Sequence, residues 1–106
     1  MIEKVAYMNV LYDLYKNLLT EKQREYLALY YQEDLSLSEI ADEFGVSRMA
    51  IHDNIKRTER ALDEYEAKLG LYEKSRARLN LYQGLKDVAN GNDDVMHLIT
   101  QLEGLE

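Results

Sequence analysis

The sequence has no cysteine and no proline, and only five glycines among 106 residues. Without cysteine there is no disulfide framework and no thiolate metal site. With no proline and few glycines, little interrupts a helix, while 46% of the residues are apolar. That combination points to helices joined by short turns. No apolar run approaches the roughly 18 residues that cross a bilayer. The start, Met1-Ile2-Glu3-Lys4-Val5, lacks the basic and long apolar stretches of a signal peptide. A cytoplasmic protein with no membrane partner is expected. Two histidines and no phosphate-cradling glycine loop leave nothing from which to build a catalytic site. No enzymatic activity, cofactor or metal is expected.

Charge is present, and it is unevenly spread. A net charge of −7 works against unspecific attraction to nucleic-acid phosphates. Yet the stretch Arg48 to Arg60 has a net charge of +2, the stretch Lys74 to Lys86 has +4 with no acid, and the remaining positions hold −13. A run of like charge is often only a solvated helix face, and for the second stretch that reading stands level with a functional one.

Apolar periodicity places the helices. Val5, Met8, Leu11, Tyr12, Tyr15, Leu18 and Leu19 recur at helical spacing and predict a first helix from about Glu3 to Leu19. Thr20-Glu21-Lys22-Gln23 has the form of a capping box. It opens a second helix that buries Tyr26, Leu27, Tyr30 and Tyr31 and ends near Glu33-Asp34. Ser36-Leu37-Ser38-Glu39 is another capping box, starting a short helix to Phe44 with Leu37, Ile40, Ala41 and Phe44 inward. Beyond Ser47 a long helix carries Ile51, Ile55, Thr58, Leu62, Tyr65 and Leu69, a heptad seam. That seam has two outlets, the interior of its own chain or a second chain. Gly70 allows a break. Tyr72 to about Ala89 forms a further helix with Leu79, Tyr82 and Leu85 apolar, and Gly84 is an ill-fitting member of it. Asn90-Gly91-Asn92 turns into a last helix, Asp93 to Glu103, with Val95, Leu98, Ile99 and Leu102 inward and His97 in a structural role. The fold class is all-α, with five or six helices. One domain is expected, in which residues 1–70 hold the N-terminal helices and a DNA-binding region and residues 71–106 form a helical tail that packs on it or on a partner subunit.

Between Ile40 and Ile55 the residues meet every demand of a helix-turn-helix. Ala41 is small where a second helix must cross, and Gly45 tolerates positive φ in the turn. Ile40, Phe44, Val46, Ile51 and Ile55 supply apolar anchors, and Ser47 can cap the second helix. With Ile51 and Ile55 inward, the outward face holds Ser47, Arg48, Met49, His52, Asp53, Lys56 and Arg57. Arginine pairs bidentately with guanine, and lysine and arginine neutralise phosphates. A neutral His52 can donate to or accept from a base edge, and Asp53 can accept from cytosine. These seven are the candidate DNA-binding residues. The competing reading is an ordinary solvated helix face.

The span Leu19 to Leu62 resembles region 4 of bacterial sigma factors, through Leu19-Thr20-Glu21-Lys22-Gln23-Arg24-Glu25 and Leu37-Ser38-Glu39-Ile40-Ala41-Asp42-Glu43-Phe44-Gly45-Val46-Ser47. Nothing here corresponds to a promoter-melting region. Over nearly its whole length the chain is more similar to the YlxM-type family of small helix-turn-helix proteins. Ser47-Arg48-Met49-Ala50-Ile51-His52-Asp53-Asn54-Ile55-Lys56-Arg57-Thr58-Glu59 carries most of that likeness, with Asn9-Val10-Leu11-Tyr12-Asp13-Leu14-Tyr15 and Leu27, Tyr30 and Tyr31. The resemblance implies a transcriptional regulator that binds double-stranded DNA, with a gene-neighbourhood link to the signal recognition particle. The alternative it leaves open is a protein- or RNA-binding adaptor of that particle's pathway. A homodimer joined through the C-terminal half is expected, because the seam from Ile51 to Leu69 and the apolar tail exceed what one reading head needs.

Overall fold

The computed structural model describes residues 2–106. The protein is all-α, with six α-helices and no strand among the described residues. It divides into two units, the first ending at Gly70 and the second covering Leu71–Glu106.

The first unit holds α1 (Ile2–Tyr15), a 3₁₀ turn (Lys16–Leu18), α2 (Glu21–Tyr31), α3 (Leu37–Phe44) and α4 (Arg48–Leu69). Both capping boxes form. Thr20 accepts from the Gln23 amide while Gln23 returns to the Thr20 amide, and Ser36 and Glu39 do the same. The Ser36 amide and hydroxyl hold the Glu39 carboxyl below the usual carboxylate range. Helix α4 packs against α1, α2 and α3. Its residues Ile51, Ile55, Thr58 and Leu62 are buried, together with Met8, Leu11, Tyr15, Leu27 and Ile40 from the other three helices. Tyr65 stacks at a tilt on Tyr15, with ring centroids 5.9 Å apart. The heptad seam is therefore consumed inside its own chain, and only its last member, Leu69, is exposed.

Other expectations shift. The first helix stops at Tyr15 rather than Leu19, because the chain tightens into the 3₁₀ turn and then extends at Leu19. That turn swings Leu18 out to solvent while Leu19 stays buried. Val5 lies at the edge of the α1 stripe and is also exposed. Helix α2 ends two to three residues early. Asp34 then takes a positive φ of 57°, a turn conformation that aspartate tolerates better than most residues. Tyr30 and Tyr31 are half-buried.

The second unit is a helical hairpin of α5 (Leu71–Val88) and α6 (Asp93–Glu103). Gly70 at φ 63° ends α4, and Asn92 caps α6 through the Val95 amide. Tyr82, Ala89 and Ile99 form its core, with Val95 and Met96 packed on them. Arg78 bonds Glu106 at 2.7 Å and Lys86 bonds Glu103 at 2.9 Å, so the helices run antiparallel. Burial and the Glu106 carboxylate both push the Tyr82 phenol pKa upward. Periodicity places Leu98 and Leu102 inward, yet both are exposed, and so is His97. A single neighbouring helix covers only a narrow stripe, here the one centred on Ile99. The remaining apolar positions of α6 are left outside it.

Candidate nucleic-acid interface

Helix α3, its turn and the first turns of α4 build the motif. Gly45 sits at φ 67°, ψ 33°, in the left-handed region. The Gly45 and Val46 amides both return to the Ala41 carbonyl, which closes the end of α3. This closure fixes where Val46 lies. The sequence pattern makes Val46 a buried anchor, but it is exposed, because it follows the left-handed residue at the outer edge of the turn. The inward anchors are Ile40, Ala41, Ile51 and Ile55, with Phe44 half-buried against Tyr26, ring centroids 5.0 Å apart.

The Ser47 hydroxyl accepts from the Ala50 amide at 3.0 Å and so starts α4. The Ile51 amide bonds the Ser47 carbonyl, leaving the Arg48 and Met49 amides at the open end of the helix, where the dipole is positive. Arg48, Met49, Asp53, Lys56 and Arg57 are all exposed, and His52 is half-buried. The His52 ring nitrogen lies 3.5 Å from the Asp53 carboxylate.

The electrostatics differ from a simple count of charges along the stretch. Glu59 is buried in the first unit and accepts a hydrogen bond from the Tyr31 hydroxyl. Lys56 approaches it at 3.5 Å and Lys4 at 3.7 Å. One acid is thereby removed from the outward face, and one cation, Lys56, is partly engaged. Arg48 and Arg57 have no ion pair among the described residues. Arg60 is not among the seven candidate residues, yet it is exposed on the same face. Its place was readable, since Met49, Asp53, Lys56 and Arg60 recur every three or four residues. Lys4 and Tyr31 carried no such signal, because nothing local links them to Glu59. On α3, Asp42 and Glu43 face solvent or its edge, so the cationic character of the motif is confined to α4.

These features define a helix-turn-helix protein. The model of a family described as "Putative helix-turn-helix protein, YlxM / p13 like" matches residues 2–102. The chain belongs to that family, UPF0122. It is 54% identical to a UPF0122 protein of Exiguobacterium sp. (strain ATCC BAA-1283 / AT1b), over 99% of this chain and 98% of that protein. It is 50% identical to one from Halalkalibacterium halodurans over the full length of both. The YlxM protein of Bacillus subtilis (strain 168) is 47% identical, over 99% of this chain and 96% of that protein. No helix among the described residues is long and apolar enough to cross a membrane.

Proposed function

We propose that the protein is a sequence-reading regulator of transcription that binds double-stranded DNA, with the first turns of α4 in the major groove. The observation that carries this reading is the capped start of α4, which presents Arg48, Arg57 and Arg60 to solvent on a chain that is otherwise strongly acidic. In this reading Ser47 positions the helix and Arg48 reaches a base edge. Met49, His52 and Asp53 line the reading face, while Lys56 and Arg57 meet phosphate. The protein acts as a homodimer, because one small head on a chain of net charge −7 binds weakly and two linked heads gain effective concentration. Two-fold pairing then sets half-sites about one DNA turn apart, roughly 34–36 Å.

A second reading is an adaptor of the signal recognition particle pathway that kept the fold. It is favoured by Met49, an apolar side chain 62% exposed in the middle of the face, where a protein surface would accept it. The RNA version is less natural, because side chains cannot read the deep A-form major groove. An electrophoretic shift with genomic fragments, competed with signal-recognition RNA, separates the two. DNA retention with discrimination among fragments supports the first reading. No retained DNA, together with binding to RNA or to the particle's protein, supports the second.

A further inference from the structure

The α5–α6 hairpin buries one stripe and leaves a second uncovered. On α5 the second stripe is Leu81, Leu85 and Val88, and on α6 it is Leu98 and Leu102, with Leu105 following in the turn after the helix. The α5 stripe has a spacing of four and then three residues, the pattern of a helix-packing seam, and the α6 pair has a spacing of four. Val88 is 89% exposed, Leu105 82% and Leu81 68%.

The two stripes form one surface. Leu81 precedes the buried Tyr82 by one residue, and Leu98 precedes the buried Ile99 by one residue. One residue is a rotation of about 100° around a helix axis. Each exposed stripe is therefore turned from its buried stripe in the same sense along its own chain. For antiparallel helices, that rotation carries both stripes to the same side of the hairpin. Leu79 is turned the other way from Tyr82 and lies off this surface.

We propose that this surface joins two copies of the chain, with two α5–α6 hairpins meeting across a two-fold axis as a four-helix bundle. The inference deepens the dimeric part of the proposed function and rests on none of its DNA contacts. Three observations select a second copy as the occupant. A unit spanning only Leu71–Glu106 falls below the roughly 40 residues under which a fold ordinarily needs a disulfide, a metal or a partner. The chain has no cysteine, and the described residues hold no group of three side chains that could hold a metal ion, which leaves packing against another surface. The exposed area is also of the right order. Six large apolar side chains, mostly about half exposed or more, amount to several hundred Å², near the roughly 800 Å² that each partner gives to a stable interface. Finally, both helices carry apolar positions on the same side, and an isologous contact between identical hairpins uses such a face on both sides.

The test is sedimentation equilibrium on the full chain, with Leu81→Glu and Val88→Glu as interface variants and Leu79→Glu as a control off the surface. The expected result is a parent of twice the 12.4 kDa chain mass. Each interface variant should raise the dissociation constant at least tenfold with unchanged helical circular dichroism, and the control should stay dimeric. Both altered side chains are mostly in solvent within the chain, so loss of folding is not expected. A parent that stays monomeric at high micromolar concentration overturns the proposal, because the face is then satisfied within its own chain. A dimer that survives both interface variants, or one that the control dissociates equally, overturns it too. If the dimer dissociates as expected while the parent binds no DNA, the DNA reading fails and this inference stands.

Discussion

The hydroxyl of Tyr31, at the end of α2, donates a hydrogen bond to the carboxylate of Glu59, buried on the inner flank of α4. Lys4 on α1 and Lys56 on α4 approach the same carboxylate. One acid thus ties three helices together immediately behind the outward face of α4. A buried carboxylate is tolerable only when paired and hydrogen-bonded, and here it is both. Tyr31→Phe removes this neutral donor. A hydrogen bond to a charged group is worth about 1.5–3 kcal/mol, so the urea midpoint should fall by a corresponding amount. An unchanged midpoint would show that the two lysines suffice.

The same contact sets a pH dependence. Burial first, and then the Glu59 hydrogen bond and charge, raise the Tyr31 pKa above the ordinary value near 10. The folded state therefore holds a proton that the unfolded chain releases. The stability this contributes is fully present below about pH 10 and declines as pH rises past it. Tyr31→Phe should flatten that alkaline decline. Equal slopes for parent and variant, in chemical denaturation at stepped pH, would contradict the assignment.

Leu62 is fully buried in the interior of the first unit. Leu62→Ala should cost about 2–5 kcal/mol, by lost transfer energy and a residual cavity. The loss should not depend on protein concentration. A concentration-dependent loss would place the seam in an intermolecular coiled coil instead.

At Gly45, φ 67°, a side chain would meet no other atom within 4 Å of its Cβ, so conformation rather than space limits substitution there. Gly45→Val should destabilise by at least about 1 kcal/mol through strain in the left-handed region. A thermal midpoint within error of the parent would rule this out.

On the proposed interface, Arg57 has no ion pair among the described residues, while Lys56 shares Glu59. Arg57→Ala should flatten the slope of log affinity against log salt by about 0.9, the value for one lost phosphate contact. Lys56→Ala should flatten it less. Arg48→Ala should cost about 1–3 kcal/mol and relax sequence preference at one base pair. A uniform loss across all sequences would make Arg48 a phosphate contact.

Much of this protein is local in origin and therefore legible. The caps at Thr20, Ser36, Ser47 and Asn92 depend on side chains three residues or fewer from the amides they serve. The left-handed turn at Gly45 follows from the absence of a Cβ. Helix limits come out within about three residues except at Leu18–Leu19, where a 3₁₀ turn replaces the last helical turn. The outward direction of Arg48, Met49, Lys56 and Arg57 follows from the inward direction of Ile51 and Ile55.

The order of the six helices, their caps and the helix-turn-helix are thus determined by the sequence itself, because each depends on contacts within about one helical turn. Only the tertiary structure decides what covers an apolar stripe. Periodicity marks Ile51 to Leu69 and Leu98 to Leu102 alike as seams. Helices α1, α2 and α3 close over the first, while Leu98 and Leu102 stay exposed among the described residues. It also decides the fate of Glu59, which as a letter in the sequence is one more acid near a basic helix. Folding brings Tyr31, 28 residues away, and Lys4, on a different helix, to its carboxylate. No local pattern encodes that pairing, because it depends on how helices far apart in the chain cross.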